Sequence, residues 1–379
     1  MNWKVQLFKL NFDEKEAEAA KKVVSKGWLS MGEKTSEFET KFSNFLGKNT
    51  FSTAVSSCTA GLHIALLALG VKEDDEVIIP SLTFVADANV VNLVGANPVL
   101  ADCDSLENWN VSLTSLKQKV TKKTKAIIIV HYAGYPCKDI ELISEFCKKR
   151  GIYLIEDVAH APGAKVNGKS CGTFGDINCF SFYSNKNLSV GEGGMVTTLD
   201  KDLNKRVISL RTHGMTTNLL DRHKGRAISY DVDSSGLNYR IDEIRSAIGI
   251  IQLQKLSSSN EQRGELTDLY RSNLKSSCVT VPFESQQDTL KSAFHILPIL
   301  LPEDVNRLDV INFLKKEGIQ TSIHYPPFWD FSVYKEKFYP EDYPISKIIC
   351  KNQLTLPLYP NMTKNEVNFV TSKLLEAFR

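Results

Sequence analysis

Short runs of valine and isoleucine alternate with stretches of helical periodicity through the first half of the chain. Six runs read as strands: 75–80 (DEVIIP), 97–101 (NPVLA), 125–131 (KAIIIVH), 152–156 (IYLIE), 178–183 (NCFSFY) and 194–198 (GMVTT). Several are apolar on consecutive positions, as expected for strands covered on both faces. Helical stretches lie before and between them: 13–26, ending at Gly27, then 60–69 (AGLHIALLAL) and 138–150 (KDIELISEFCKKR). Such alternation predicts a mainly parallel α/β sheet. A longer helix is expected over about 240–256, with Ile241, Ile244, Ile248 and Ile251 on one face. The polar stretch SSSNEQRGE then suggests a hinge near 257–265. Beyond it, separated strands (HILPILL and TSIHY) and helices (305–317 and 363–378) suggest a smaller α+β unit. The expected division is therefore a large domain over 1–256 and a small one over 257–379.

A length of 379 residues suits two domains. Hydrophobic residues at 42% and charged residues at 24% are ordinary for a globular chain, which can bury a core without disulfides or structural metals. A formal charge of +2 gives no global pull toward nucleic acid or membrane. The densest basic cluster is Arg222, His223, Lys224 and Arg226, in a stretch that ordinarily would be a solvated loop. The eight cysteines form no CxxC pair, and no histidine stands at zinc-finger spacing from them, so no metal is expected. Charges interrupt any apolar core in the opening MNWKVQLFKLNFDEKEAE, which therefore does not read as a signal peptide, and no apolar run approaches 18 residues. Reduced thiols in the cytoplasm are the simplest expectation.

Four segments carry candidate chemistry. FSFYSNKNLSVGEGG (180–194) sets Lys186 in a short turn between an apolar strand and a glycine-rich link. IEDVAHAPGA (155–164) ends a strand in Glu156 and Asp157, where α/β proteins place ligands; either acid could face a protonated ring nitrogen. SSCTAGLHIALLALG (56–70) leads from small hydroxyl residues into a helix whose N-terminus suits a phosphate. PSLTFVADANVV (80–91) sets Phe84 just after a strand, where it could lie on an aromatic ligand. Each segment alone has a plainer explanation: a surface lysine, a helix cap, a core aromatic. The GEGG at 191–194 lacks the spacing and the following helix of a nucleotide loop.

Taken in order along nearly the whole chain, these segments resemble the DegT/StrS family of sugar-nucleotide aminotransferases, pyridoxal-phosphate enzymes of fold type I. SKGWLSMGEKTSEFETKFSNFLG, VHYAGYPCKDI, LRTHG, GLNYRIDEIRSAIGIIQL and LPLYPNMTKNEV extend the resemblance. It implies that Lys186 holds the cofactor covalently and that Asp157 faces the pyridine nitrogen. It assigns Thr59, Ala60 and Ser181 to the phosphate and Phe84 to the ring face. Asn238 would reach the phosphate of a neighbouring subunit's cofactor, which implies a homodimer. Two positions depart from the family pattern. Cys58 stands where glycine usually precedes the Thr-Ala pair, and His160 stands where many members have glutamine; His160 is expected beside the cofactor.

The resemblance also implies the reaction. An amino group, with glutamate as donor, would pass through the pyridoxamine form of the cofactor to a keto sugar linked to a nucleotide, with a 4-keto-6-deoxy sugar favoured, in surface-polysaccharide or secondary-metabolite sugar synthesis. Arg222, Lys224 and Arg226 are candidates for the substrate diphosphate, and Arg240 and His324 for further substrate contacts. Other readings stay open: an aminotransferase for a keto-cyclitol or another non-nucleotide substrate, a sugar dehydratase on the same scaffold, or a non-catalytic regulatory protein.

Overall fold

The computed structural model describes residues 3–216, 231–283 and 289–378. Seven strands form the main sheet: β1 (Phe51–Val55), β2 (Glu76–Pro80), β3 (Asn97–Ala101), β4 (Thr124–Val130), β5 (Tyr153–Asp157), β6 (Ile177–Ser181) and β7 (Gly194–Thr198). Their order across the sheet is β1-β7-β6-β5-β4-β2-β3. β7 alone runs antiparallel to both its neighbours; β2, β3, β4, β5 and β6 pair in parallel. Sequence placed six of these strands within a residue or two. The first, FSTAV, escaped because Ser52, Thr53 and Ala54 break any apolar run.

The consecutive apolar positions are explained by burial on both faces. In β4, Ile127 and Ile129 enter one core with Phe38, Phe42, Phe180 and Phe182, while Ala126 and Ile128 enter the opposite core with Leu62, Ile64 and Ile155. Helices α1 (Glu14–Lys26), α2 (Glu33–Leu46), α3 (Cys58–Ala68) and α4 (Ala86–Leu93) cover the sheet together with α5 (Glu243–Leu274). Asp13 and Glu16 form a reciprocal cap on α1, and Gly27 ends it in the left-handed region at φ 78°.

The expected hinge at 257–265 is instead the middle of α5, a single helix of 32 residues. Its polar residues divide by face. Ser257 and Ser258 are exposed, whereas Ser259, Asn260 and Arg263 are buried and hydrogen-bonded into the molecule. A run of polar residues thus marks a helix packed against polar neighbours rather than a linker. A third core unites Leu266 and Tyr270 of α5 with the antiparallel pair β8 (Leu297–Leu300) and β9 (Gln353–Leu356). Val5, from the first residues of the chain, packs in this core and bridges Ile319. TSIHY makes only one isolated bridge, Ser322 to Thr355, and is not a strand; it leads His324 and Tyr325 into a cavity at the sheet edge. Among the described residues, no helix is long and apolar enough to cross a membrane.

Candidate active site

The carboxyl ends of parallel strands converge on one cavity of about 540 Å³. Asp157 ends β5 and Ser181 ends β6; Ser57, Cys58 and Thr59 form the junction of β1 with α3; Thr83 and Phe84 join β2 to α4. Lys186 and His160 complete the sheet side of the wall, and His324 and Tyr325 close it from the C-terminal part of the chain. Of the residues expected at the site, Lys186, Asp157, Thr59, Phe84, His160, Ser181 and His324 meet here. Ala60, Asn238 and Arg240 do not reach the wall: Ala60 is buried in α3, Asn238 is exposed and pairs with Thr212, and Arg240 is partly buried near Arg211. Arg222, Lys224 and Arg226 lie outside the described residues.

The strand repeat separates the two acids of IEDVAHAPGA, since neighbours on a strand face opposite ways. Asp157 lines the cavity. Its Oδ1 accepts the N–H of Ala159 at 2.8 Å, and the Cys58 sulfur lies 3.7 Å away. Burial raises the carboxyl, while the Ala159 N–H, the Lys186 charge and the Cys58 thiol act to lower it. Glu156 turns away into the protein and is fully buried. Its Oε1 accepts from the N–H groups of Phe174 (2.6 Å) and Gly175 (2.9 Å), and its Oε2 from Gly172 N–H and His131 Nε2 (both 2.9 Å). Cys137 donates its N–H to His131 Nδ1, so Nε2 carries the ring hydrogen that Glu156 accepts. His131, Glu156 and Cys171 are close enough to suggest a metal cluster, but four donors already saturate the carboxylate. Glu156 is a structural knot behind Asp157.

Lys186 closes a turn by donating its N–H to Tyr183 O at 2.9 Å. Burial pulls its ammonium down to about 8, against the opposing charge of Asp157. Near neutral pH an appreciable fraction of such an amine is free to attack a carbonyl or take a proton. The next residue anchors the turn: Asn187 Nδ2 donates to Asn260 Oδ1 (2.8 Å) and Ala293 O (2.7 Å), and Asn187 Oδ1 lies 2.9 Å from His295 Nδ1. Asn260 lies in the stretch expected to be a hinge. The glycine-rich link also has a packing reason. A Cβ on Gly194 would stand 2.6 Å from Ser57 C and 2.7 Å from Cys58 N, so only glycine lets β7 pass the β1–α3 junction.

Cys58 in place of glycine leaves the helix start intact. Ser57 caps α3, its Oγ accepting the Ala60 N–H at 3.1 Å. The N–H groups of Cys58 and Thr59 have no partner within the helix, and they stand at the positive end of its dipole. With Ser181 beside them, these groups suit a phosphate held by neutral donors. Phe84 is half exposed, its ring 5.4 Å from that of Tyr325. An aromatic face, a carboxylate, an amine of lowered basicity and a phosphate cradle within one cavity fit pyridoxal phosphate.

Three wall or near-wall residues escaped the sequence reading. Asp87 is fully buried and takes a 2.5 Å hydrogen bond from Thr83 Oγ1; burial and the charge of Asp157 push its carboxyl well above the usual range. An acid inside the apolar run TFVADANVV was its one visible signal. Tyr325 and His295 come from distant parts of the chain, and no local pattern points to them. His324 bonds Thr355 Oγ1 at 2.9 Å, and burial with the Lys186 charge lowers it to about 4.

Comparison with known proteins points to the same cofactor. The model of the DegT/DnrJ/EryC1/StrS aminotransferase family matches residues 11–375. GDP-perosamine synthase of Escherichia coli O157:H7 is 35% identical over 378 residues, covering 99% of this chain and 98% of that protein. The spore coat polysaccharide biosynthesis protein SpsC of Bacillus subtilis (strain 168) is 35% identical over 365 residues, covering 94% and 92%. Among solved structures, the PLP form of the putative sugar aminotransferase Spr1654 from Streptococcus pneumoniae superposes with a TM-score of 0.90 at 27% identity, covering 100% of this chain and 98% of that one.

Proposed function

Because the chain belongs to the DegT/DnrJ/EryC1/StrS aminotransferase family and is a pyridoxal-phosphate-dependent aminotransferase, we propose that it moves an amino group from glutamate to a keto sugar carried on a nucleotide. A 4-keto-6-deoxy sugar is the favoured acceptor. The observation that carries this is the meeting of Lys186, Asp157 and Phe84 with the N-terminus of α3 in one cavity, supported by the 35% identity to GDP-perosamine synthase over nearly the full length. The enzyme is proposed to work in the cytoplasm as a homodimer.

Bound pyridoxal phosphate supplies the electron sink that allows a carbon–hydrogen bond beside an amine to break. The chain's residues supply the rest. Cys58 and Thr59 N–H groups, the Thr59 hydroxyl and Ser181 would hold the phosphate, and Phe84 would cover the ring face. Asp157, as an anion, would keep a proton on the ring nitrogen and thereby favour electron withdrawal. Lys186 would hold the cofactor covalently and, as a free amine, would take up and return a proton within the cavity. Its lowered basicity suits both roles. Asn238 is proposed to serve the partner subunit's phosphate, and its exposed position outside the cavity of its own chain leaves it available for that contact. Arg222, Lys224 and Arg226, followed by Arg240, are proposed to meet the substrate diphosphate, which needs cations where the cofactor phosphate does not.

The test is a panel of keto sugar nucleotides, each incubated with glutamate and the purified holoenzyme, with products weighed by mass spectrometry. A product whose mass shows an amine in place of the ketone, with 2-oxoglutarate released in equal amount, supports the reading. Amination of free keto sugars or keto-cyclitols, with all nucleotide sugars untouched, overturns it.

A further inference from the structure

His160 and Tyr325, 165 positions apart in the chain, meet in the cavity wall, with His160 Nε2 2.8 Å from the Tyr325 hydroxyl. The direction of that hydrogen bond follows from the other side of the ring. The backbone N–H of Ala133 donates to His160 Nδ1 at 3.2 Å, so Nδ1 carries a lone pair. A neutral imidazole then has its hydrogen on Nε2 and donates it to the tyrosine oxygen. The phenolic hydrogen of Tyr325 is left over, and Tyr325 lines the cavity that holds Lys186 and Asp157. The backbone of Tyr325 is fixed as well: Gln353 Nε2 donates to its carbonyl at 2.9 Å. Burial and the Lys186 charge keep His160 neutral, which maintains this arrangement across the working pH range.

We infer that Tyr325 contacts the cofactor, presenting its phenolic hydrogen, under the control of His160, to the ring oxygen of bound pyridoxal phosphate. This rests on the proposed orientation of the ring, with its nitrogen at Asp157 and its attachment at Lys186. The oxygen-bearing edge then lies between those two points, on the side of His160 and Tyr325. A donor on that oxygen disperses its negative charge, so the positive nitrogen at Lys186 releases its proton more readily. Without the donor, charge remains beside that nitrogen, and the proton is held to higher pH. The other titratable groups around the pair are Lys186, Asp157, Asp87, Tyr132, His295 and His324, which the variants below leave in place.

The experiment titrates the visible absorption of the bound cofactor against pH, with no substrate present and cofactor content checked by alkaline release. In Tyr325→Phe the midpoint rises by about one unit, a tenfold change in proton affinity. His160→Gln, whose amide can accept from Ala133 and donate to the phenol, stays within about 0.3 unit of the unmodified enzyme, whereas His160→Leu shifts in the same direction as Tyr325→Phe. An unmoved midpoint in Tyr325→Phe overturns the inference, as does a His160→Gln shift equal to that of His160→Leu. Borohydride reduction of the unmodified holoenzyme separates this failure from failure of the site itself. Label on Lys186 with no shift in Tyr325→Phe refutes only the tyrosine contact; label elsewhere refutes the orientation on which it rests.

Discussion

Replacing Glu156 with glutamine should damage the fold more than any other change of a single atom near the site. The side chain is fully buried, and its two oxygens accept four hydrogen bonds from Gly172, Phe174, Gly175 and His131. Glutamine has one oxygen and one NH₂. Whichever way the amide turns, two of the four donors face another donor. His131 cannot relieve this by moving its hydrogen, because its Nδ1 accepts the Cys137 N–H at 3.0 Å. A hydrogen bond to a charged group contributes roughly 1.5–3 kcal/mol, so losing two costs about 3–6 kcal/mol. For 379 residues the unfolding entropy is about 0.8 kcal/mol/K, which converts that loss to a Tm drop of roughly 4–8 °C. Scanning calorimetry at fixed protein and cofactor concentration measures it directly. A drop below about 1 °C would refute the saturated-carboxylate account.

Other expectations concern the chemistry. Asp157→Asn should keep its fold and lose roughly 100- to 1,000-fold in turnover, measured with saturating cofactor; near-normal turnover would leave Asp157 as only a cap. In cofactor-free protein, capture of pyridoxal phosphate should accelerate about tenfold per pH unit up to about 8 and then level off, because the amine of Lys186 is the reactive form. Stopped-flow absorbance follows this, and continued acceleration to pH 10 would restore an ordinary lysine. Replacing Arg222, Lys224 and Arg226 together with alanine should raise KM for the nucleotide sugar roughly 10- to 100-fold with the response to glutamate unchanged. Mixing inactive Lys186→Ala chains with chains inactivated at Asn238 should restore activity toward half per mixed dimer, as an isologous interface requires; no recovery would place Asn238 in its own chain's site.

The legible parts of the fold were those governed by local rules. The apolar runs of β2 to β7 announced themselves because both faces of the sheet are covered, and Gly27 marked the end of α1. FSTAV was silent because its burial comes from neighbours rather than its own side chains. The stretch 257–265 misled for a related reason: Asn260 and Arg263 are polar yet buried, satisfied by Pro162, His295 and Leu358 from elsewhere in the chain. At the site, Asp157 and Ser181 end strands and Thr59 opens a helix, while Lys186 stands in the turn after β6; the resemblance supplied the roles expected of them. The residues of IEDVAHAPGA alone left Glu156 and Asp157 open; the resemblance chose Asp157, and Asp157 is the one on the face of β5 that opens on the cavity. Tyr325 was out of reach, since 165 positions separate it from His160.

The most direct test of the account is borohydride reduction of the purified holoenzyme, followed by peptide mapping. The account predicts a single reduced pyridoxyl label on Lys186, within the peptide that contains FSFYSNKNLSVGEGG, and no visible cofactor absorption in Lys186→Ala. A label on any other lysine, or an unlabelled Lys186 in protein that retains its absorption, would contradict it.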